Sequence, residues 1–177
     1  MKAIIVFESM YGNTAHIARA IAEGIGPDAR VMSTAHATPE VVAAADLIVA
    51  GAPVHAMGLP SQSTRETAIA SPIADGRVAA NPNHPPMREW LDGLAPGHGR
   101  AAAFDTRVRG PFGRGAAPAI ASGLGKAGYT VVDPPRGFYV NTSTHDVAPG
   151  GLLRPGEVQQ AMHWGRSLAA SARQLAS

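Results

Sequence analysis

Ser9, Asn13 and Thr14 stand around Gly12 in the stretch Ser9-Met10-Tyr11-Gly12-Asn13-Thr14, a grouping of hydroxyl and amide groups suited to an anion. The apolar run Ala3 to Phe7 precedes it, and Ile17, Ala18, Ile21, Ala22 and Ile25 follow at helical spacing. The run reads as a buried parallel strand and the stripe as an amphipathic helix. A turn between them points unpaired backbone N–H groups and the positive end of a helix dipole at one place. Ser9 and Thr14 add hydroxyl donors, Asn13 adds an amide, and Gly12 lets the backbone approach closely. A phosphate monoester fits there without any lysine or arginine. The turn is not a Walker A loop: Gly125-Lys126 is followed by Ala127, and no Gly-Lys is followed by Ser or Thr. Its one glycine also falls short of the three that a dinucleotide turn needs. The alternative is an ordinary strand–helix turn capped by Asn13 or Thr14.

Other chemistries find little support. The 7 histidines are dispersed, with no HxH or HxxxH pair to seed a metal site. No GxSxG elbow is present. The absence of cysteine excludes disulfides, thiolate catalysis and cysteine-ligated iron–sulfur clusters. Asp105 ends an expected strand, but no base–nucleophile partner accompanies it. Any reaction would therefore come from a cofactor.

The elements that would position the turn alternate regularly. We read strands at 2–8, 29–33, 46–51, 100–105 and 129–132, with a short extended segment at 137–140. Helices are expected at 13–25, 39–45, near 86–95, 114–127 and 156–175. Such alternation implies a parallel sheet with helices on both faces. Thr38-Pro39-Glu40 is a good helix start, a cap followed by proline in the first turn. Two stretches lack this order. Residues 61–85 show little periodicity and run into Asn81-Pro82-Asn83-His84-Pro85-Pro86, which cannot be helical throughout. They read as a long loop insertion, either laid over a ligand or partner surface or simply mobile. Asn141 to Gly151 reads as a smaller excursion.

With 177 residues, the chain is expected to form a single domain over 1–177. No apolar run is long enough to span a membrane. A strand directly after Met1 predicts no secretory leader, so a cytoplasmic protein is expected. The formal charge of +2 and pI near 9.4 come from scattered residues, the tightest group being Arg107, Arg109 and Arg114. No set of stacking aromatics accompanies them, so no nucleic-acid surface is expected.

Three loops now bear on identity. The first is Ser9 to Thr14. The second, Ala52 to Pro60, follows the apolar strand ending at Gly51. The third, Asp105 to Phe112, follows Ala101 to Phe104. Together they resemble the flavodoxin family: a hydroxyl-x-x-Gly-Asn-Thr phosphate loop after strand one, then a Gly-x-Pro loop after strand three. His55, Ser63, Thr64 and Arg65, then Arg88 to Leu91 and Phe104 to Arg107, resemble one subgroup of flavodoxin domains.

The resemblance implies an α/β, doubly wound five-stranded parallel sheet in order 2-1-3-4-5, with ligand at the point where strand order reverses. It implies FMN as cofactor, its phosphate held by Ser9, Met10, Tyr11, Gly12, Asn13 and Thr14. Pro53, Val54, His55, Ala56 and Met57 would cover one ring face. Asp105, Thr106, Arg107, Gly110 and Phe112 would cover the other. His55, Met57 and Phe112 are the ring-cover candidates, whereas Trp90 and Trp164 are expected to pack in or on the fold. Arg107 and Arg109, if near the ring, would raise its reduction potential; otherwise they face solvent. The implied function is electron transfer with a redox protein partner or an NAD(P)H-linked reductase. The alternatives are an FMN-dependent NAD(P)H:quinone-type oxidoreductase and a binding module that has lost flavin. Family carriers are typically acidic, and this basic chain departs from that pattern.

Overall fold

Continuous apolar runs in three of the strands bury both sheet faces in the computed structural model, which describes residues 1–55, 58–70, 80–110, 115–141 and 150–174. In chain order the elements are β1 (Ala3–Phe7), α1 (Asn13–Ile25), β2 (Ala29–Ser33), α2 (Pro39–Ala43), β3 (Leu47–Pro53) and α3 (Gln62–Ala70). They continue with α4 (Met87–Asp92), β4 (Arg100–Val108), α5 (Ala117–Lys126), β5 (Thr130–Val131), β6 (Arg136–Val140) and α6 (Glu157–Gln174). The sheet runs β2-β1-β3-β4-β5, with β6 also on β4, and every ladder is parallel.

The expected order holds, but the fifth position is filled by two segments. β5 pairs with Arg100 and Ala101, and β6 with Phe104 to Val108. Between them Pro134 and Pro135 have no N–H to give a ladder, so the strand bows away and rejoins β4 further along. The second segment lengthens β4. Thr106, Arg107 and Val108, expected in a loop, lie on the strand because β6 supplies their partners. From Tyr139 to Asn141 the free side of β6 is closed by chain. Asn141 N donates to Leu152 O, Arg154 N to Tyr139 O, and Tyr139 N to Glu157 Oε2.

Alternation sorts the core into two layers. Ile4, Val6 and Ile48 face Met87, Trp90, Ile120 and Leu124. Ala3, Ile5 and Val49 face Ile17, Ile21, Trp164 and Leu168. Trp90 and Trp164 are therefore core residues, their indole N–H groups donating to Ala37 O and Asp133 Oδ2 at 2.8 Å each. Phe104, Phe138 and Trp164 form an aromatic cluster with centroids 6.0 to 6.5 Å apart. The 61–85 expectation needs correction at its start, since α3 occupies Gln62–Ala70. Ser61 caps it: its Oγ accepts from Thr64 N at 3.2 Å, and Ser61 N donates to Thr64 Oγ1 at 2.9 Å. Residues 71–79 and 142–149 lie outside the described residues.

Helices α1 and α6 touch backbone to backbone at Gly24 and Gly165. A Cβ on Gly24 would overlap Met162 O, and one on Gly165 would overlap Ile21 O. Gly165→Ala therefore has no flexible neighbour to displace. We expect a loss of about 1–3 kcal/mol, read as a lower denaturation midpoint at unchanged slope.

Candidate functional site

The first turn of α1 begins at Gly12, whose φ of 87° places it in the left-handed region, and no side chain caps the helix. The first helical bond is His16 N to Gly12 O at 3.0 Å. Among the described residues the N–H groups of Asn13, Thr14 and Ala15 have no acceptor. Ser9 lies beside them, 6% exposed, and its buried Oγ has no partner among the described residues. Buried hydroxyls are seldom left unpaired, and this one is free to donate to a ligand acceptor. Three amides, a helix dipole and a free hydroxyl suit a phosphate dianion.

The other residues of this turn have different occupations. Thr14 Oγ1 and Thr106 Oγ1 share a hydrogen bond of 2.8 Å, which ties the turn to β4. Asn13 Oδ1 accepts from Leu152 N at 3.1 Å, so its carbonyl supports the excursion before α6. Tyr11 O accepts from Gly150 N, and Met10 O from Asn81 N. Met10 itself is buried.

The ends of β3 and β4 meet this turn. Glu8 N donates to Gly51 O and Val54 N to Thr106 O, each at 2.9 Å. Pro53 is the last residue of β3. His55 and Gly58 exchange two backbone bonds of 3.0 Å; Ala56 and Met57 lie outside the described residues. Burial lowers the His55 pKa below its ordinary value, with Glu8 opposing and Arg65 assisting. Unfolded chain takes up this proton near pH 6.5, whereas the folded protein resists it. Stability thus falls as pH drops below about 6.5 and levels off beneath the lowered native value. His55→Gln should flatten that slope, by at most about 1.4 kcal/mol per pH unit, in denaturation series between pH 7 and 5.

The Asp105 side chain is directed at the start of α5. It is fully buried, and its Oδ2 accepts from Ala116 N and Ala117 N at 2.8 and 2.9 Å. It thus holds the start of α5. Burial raises its pKa, against the pull of those amides and of Arg107. Arg107 Nε stands 3.2 Å from Asp105 Oδ1, an ion pair without hydrogen-bond alignment. The guanidinium occupies a slot that a side chain on Gly115 or Gly137 would fill. Arg109 lies over the Tyr139 ring at 5.8 Å. Among the described residues nothing lies within 4 Å of where a Cβ on Gly110 would stand, while Phe112 and Arg114 lie outside the described residues.

A family model described as "Flavodoxin domain" matches residues 4–65, which include the first and second loops. The chain has a flavodoxin-like fold. A flavodoxin from the domain Archaea superposes with a TM-score of 0.64 at 23% identity, covering 98% of this chain and 99% of that one. Flavodoxin 2 from Bacillus cereus superposes at 0.62 with 16% identity, covering 99% of both. The Flv1 flavodiiron core from Synechocystis sp. PCC6803 gives 0.60 at 13% identity, with 99% of this chain aligned to 36% of that one. No curated protein matches the sequence.

Within this flavodoxin-like frame lies a polar cluster that sequence reading did not assemble. Glu8, at the end of β1, is fully buried and forms an ion pair with Arg65 of α3, itself 6% exposed. Glu8 Oε2 also accepts from Met87 N at 2.8 Å. Arg65 donates to His84 O at 2.7 Å and Pro82 O at 3.3 Å. His84 Nε2 lies 3.2 Å from Ser9 N and 3.0 Å from Ser9 O. One signal was present: an acid ending an otherwise apolar, buried strand requires a buried cation. Among the described residues no helix is long and apolar enough to cross a membrane, and no acid–histidine group could hold a metal ion.

Proposed function

We propose that this chain binds FMN and transfers electrons. The observation that carries the reading is the Ser9 hydroxyl, buried without a partner beside the three free amides of Asn13, Thr14 and Ala15. Ser9 to Thr14 would bind the ribityl phosphate. Pro53 to Met57 would flank one ring face, and Thr106, Arg107, Gly110 and Phe112 the other. Bound FMN would supply one- and two-electron chemistry. The chain's own part is to anchor the phosphate, exclude water and present backbone groups to the ring edge. Asp105 serves the site indirectly, by fixing α5 and pairing Arg107. The structures of flavodoxins on the same fold support this reading.

Titration of the purified protein with FMN, FAD and riboflavin tests it. FMN should bind most tightly, because the turn suits a terminal phosphate and lacks a dinucleotide fingerprint. Equal or tighter FAD binding would count against the proposal, and a colourless protein that takes up no flavin would remove it.

The charge favours a second reading. A net +2 does not suit a carrier steered onto basic partners. An FMN-dependent NAD(P)H:quinone-type reductase has no such requirement. Bleaching of the bound flavin by NAD(P)H alone would select it over the carrier.

The Asp105 contact changes the expectation for the arginines. Arg107 is compensated by its partner, so Arg109 should have the larger electrostatic effect on the flavin. Arg109→Gln should lower the midpoint potential by at most about 40 mV per electron at low salt, the equivalent of about 1 kcal/mol. The shift should shrink as salt is added. An unchanged potential in spectroelectrochemical titration would place Arg109 away from the ring.

A further inference from the structure

We propose that residues 81–87 form a strap across the phosphate loop, and that Arg65 is the positioning residue that holds it there. This rests on the FMN reading above. The strap is tied to the loop along its length. Asn81 N donates to Met10 O at 2.8 Å, the His84 ring lies against both backbone groups of Ser9, and Met87 N donates to Glu8 Oε2. Thr34 Oγ1 donates to Pro85 O at 2.6 Å and fixes the outer side. The strap is also stiff. Pro82, Pro85 and Pro86 restrict its backbone, and Asn83 N donates to Asn81 Oδ1 at 2.9 Å in an Asx turn.

Arg65 joins these parts. Its guanidinium reaches Glu8, the carbonyls of Pro82 and His84, and the His84 ring, with Nδ1 3.4 Å from Nη2. A planar fork meets a carboxylate and two carbonyls in one fixed, extended geometry, which the compact point charge of an ammonium does not reproduce. The His84 ring thus spans from the guanidinium, which faces Nδ1, to the Ser9 backbone, whose N–H donates to Nε2 at 3.2 Å and whose carbonyl stands 3.0 Å from the same nitrogen. The same charge neutralises Glu8, whose carboxylate would otherwise repel a phosphate bound at the next residues. Arg65 therefore sets the backbone at Ser9, and with it the place of the free Ser9 hydroxyl. Opening the strap should let a phosphate-bearing ligand leave faster, with little effect on a ligand that lacks the phosphate.

The test uses the full chain with Arg65→Lys, which keeps a cation for Glu8 and removes the fork. Without ligand, hydrogen exchange at the Asn81 and Met87 amides should accelerate at least tenfold, while Val49 and Ala102 in the sheet stay unchanged. With ligand, FMN dissociation in stopped flow should accelerate at least tenfold and riboflavin dissociation by less than twofold. Unchanged exchange at Asn81 and Met87 overturns the strap. Faster exchange with an unchanged FMN dissociation rate overturns the positioning role. Equal acceleration for both flavins also overturns it, because the effect would not act through the phosphate. Should Arg65→Lys fail to fold, His84→Gln leaves the Glu8–Arg65 pair intact and is expected to give the same pattern at Asn81 and for FMN. If the wild-type chain binds no FMN, the functional reading fails, and the exchange measurement still decides the strap.

Discussion

A chain carrying Ser9→Ala and Thr14→Ala should bind FMN at least tenfold more weakly while its affinity for riboflavin changes little. Hydrogen bonds to a charged acceptor contribute about 1.5–3 kcal/mol each; Ser9 Oγ is free to donate one, and Thr14 Oγ1 can donate a second while accepting from Thr106. The two substitutions differ in their effect on the protein without ligand. Ser9 Oγ has no partner among the described residues, so Ser9→Ala should leave the ligand-free chain as stable as before. Thr14→Ala breaks the 2.8 Å bond to Thr106 and should lower stability by about 1 kcal/mol. Calorimetric titration with both flavins, alongside thermal melts, reads both effects. Parallel weakening of FMN and riboflavin would make these residues supports of the fold and not ligands of the phosphate.

The second large effect falls on the fold. Glu8→Ala leaves the Arg65 guanidinium buried without its counter-ion and Met87 N without its acceptor. Breaking one partner of a buried pair costs about 3–5 kcal/mol. Denaturation midpoints should therefore fall further for Glu8→Ala than for Gly165→Ala. Adding Arg65→Met to Glu8→Ala should recover part of the loss, because the stranded charge is removed. Recovery will be incomplete, since the carbonyls of Pro82 and His84 lose their donor. A double mutant less stable than Glu8→Ala alone would show that Arg65 stabilises chiefly through those carbonyls.

The sheet order was legible because its signals are local. Ala3 to Phe7, Asp46 to Gly51 and Ala101 to Phe104 are apolar runs with helical stripes between them, and that pattern leaves few topologies. The turn at Gly12 was legible for the same reason, lying between one strand and one helix. What escaped depends on distance along the chain. His84 meets Ser9 across 75 residues, and nothing within either segment announces the other. The extension of β4 to Val108 depends on β6, whose return after Pro134 and Pro135 is a tertiary event. The start of α3 was missed for a different reason: Ser61 to Thr64 is a capping sequence, but the polar helix after it carries little apolar periodicity, and only Arg65 of it is buried. Asp105 was placed with the ligand-facing loop, whereas strand alternation turns its side chain toward α5.

The closed side of β6 limits how copies of this chain can associate. Tyr139 and Asn141 already bond to Leu152, Arg154 and Glu157, so a foreign strand finds no free ladder there. β5 on the same margin is only 2 residues long, too short to template a partner. Among the described residues β2 pairs only with β1 and is left as the margin open to another strand. A sheet with a single available margin can join one other copy through a two-fold axis, and the union then has no margin left. Growth into fibres needs two complementary margins on each copy. Among the described residues, the fold therefore carries a built-in stop against cross-β polymerisation from its native state.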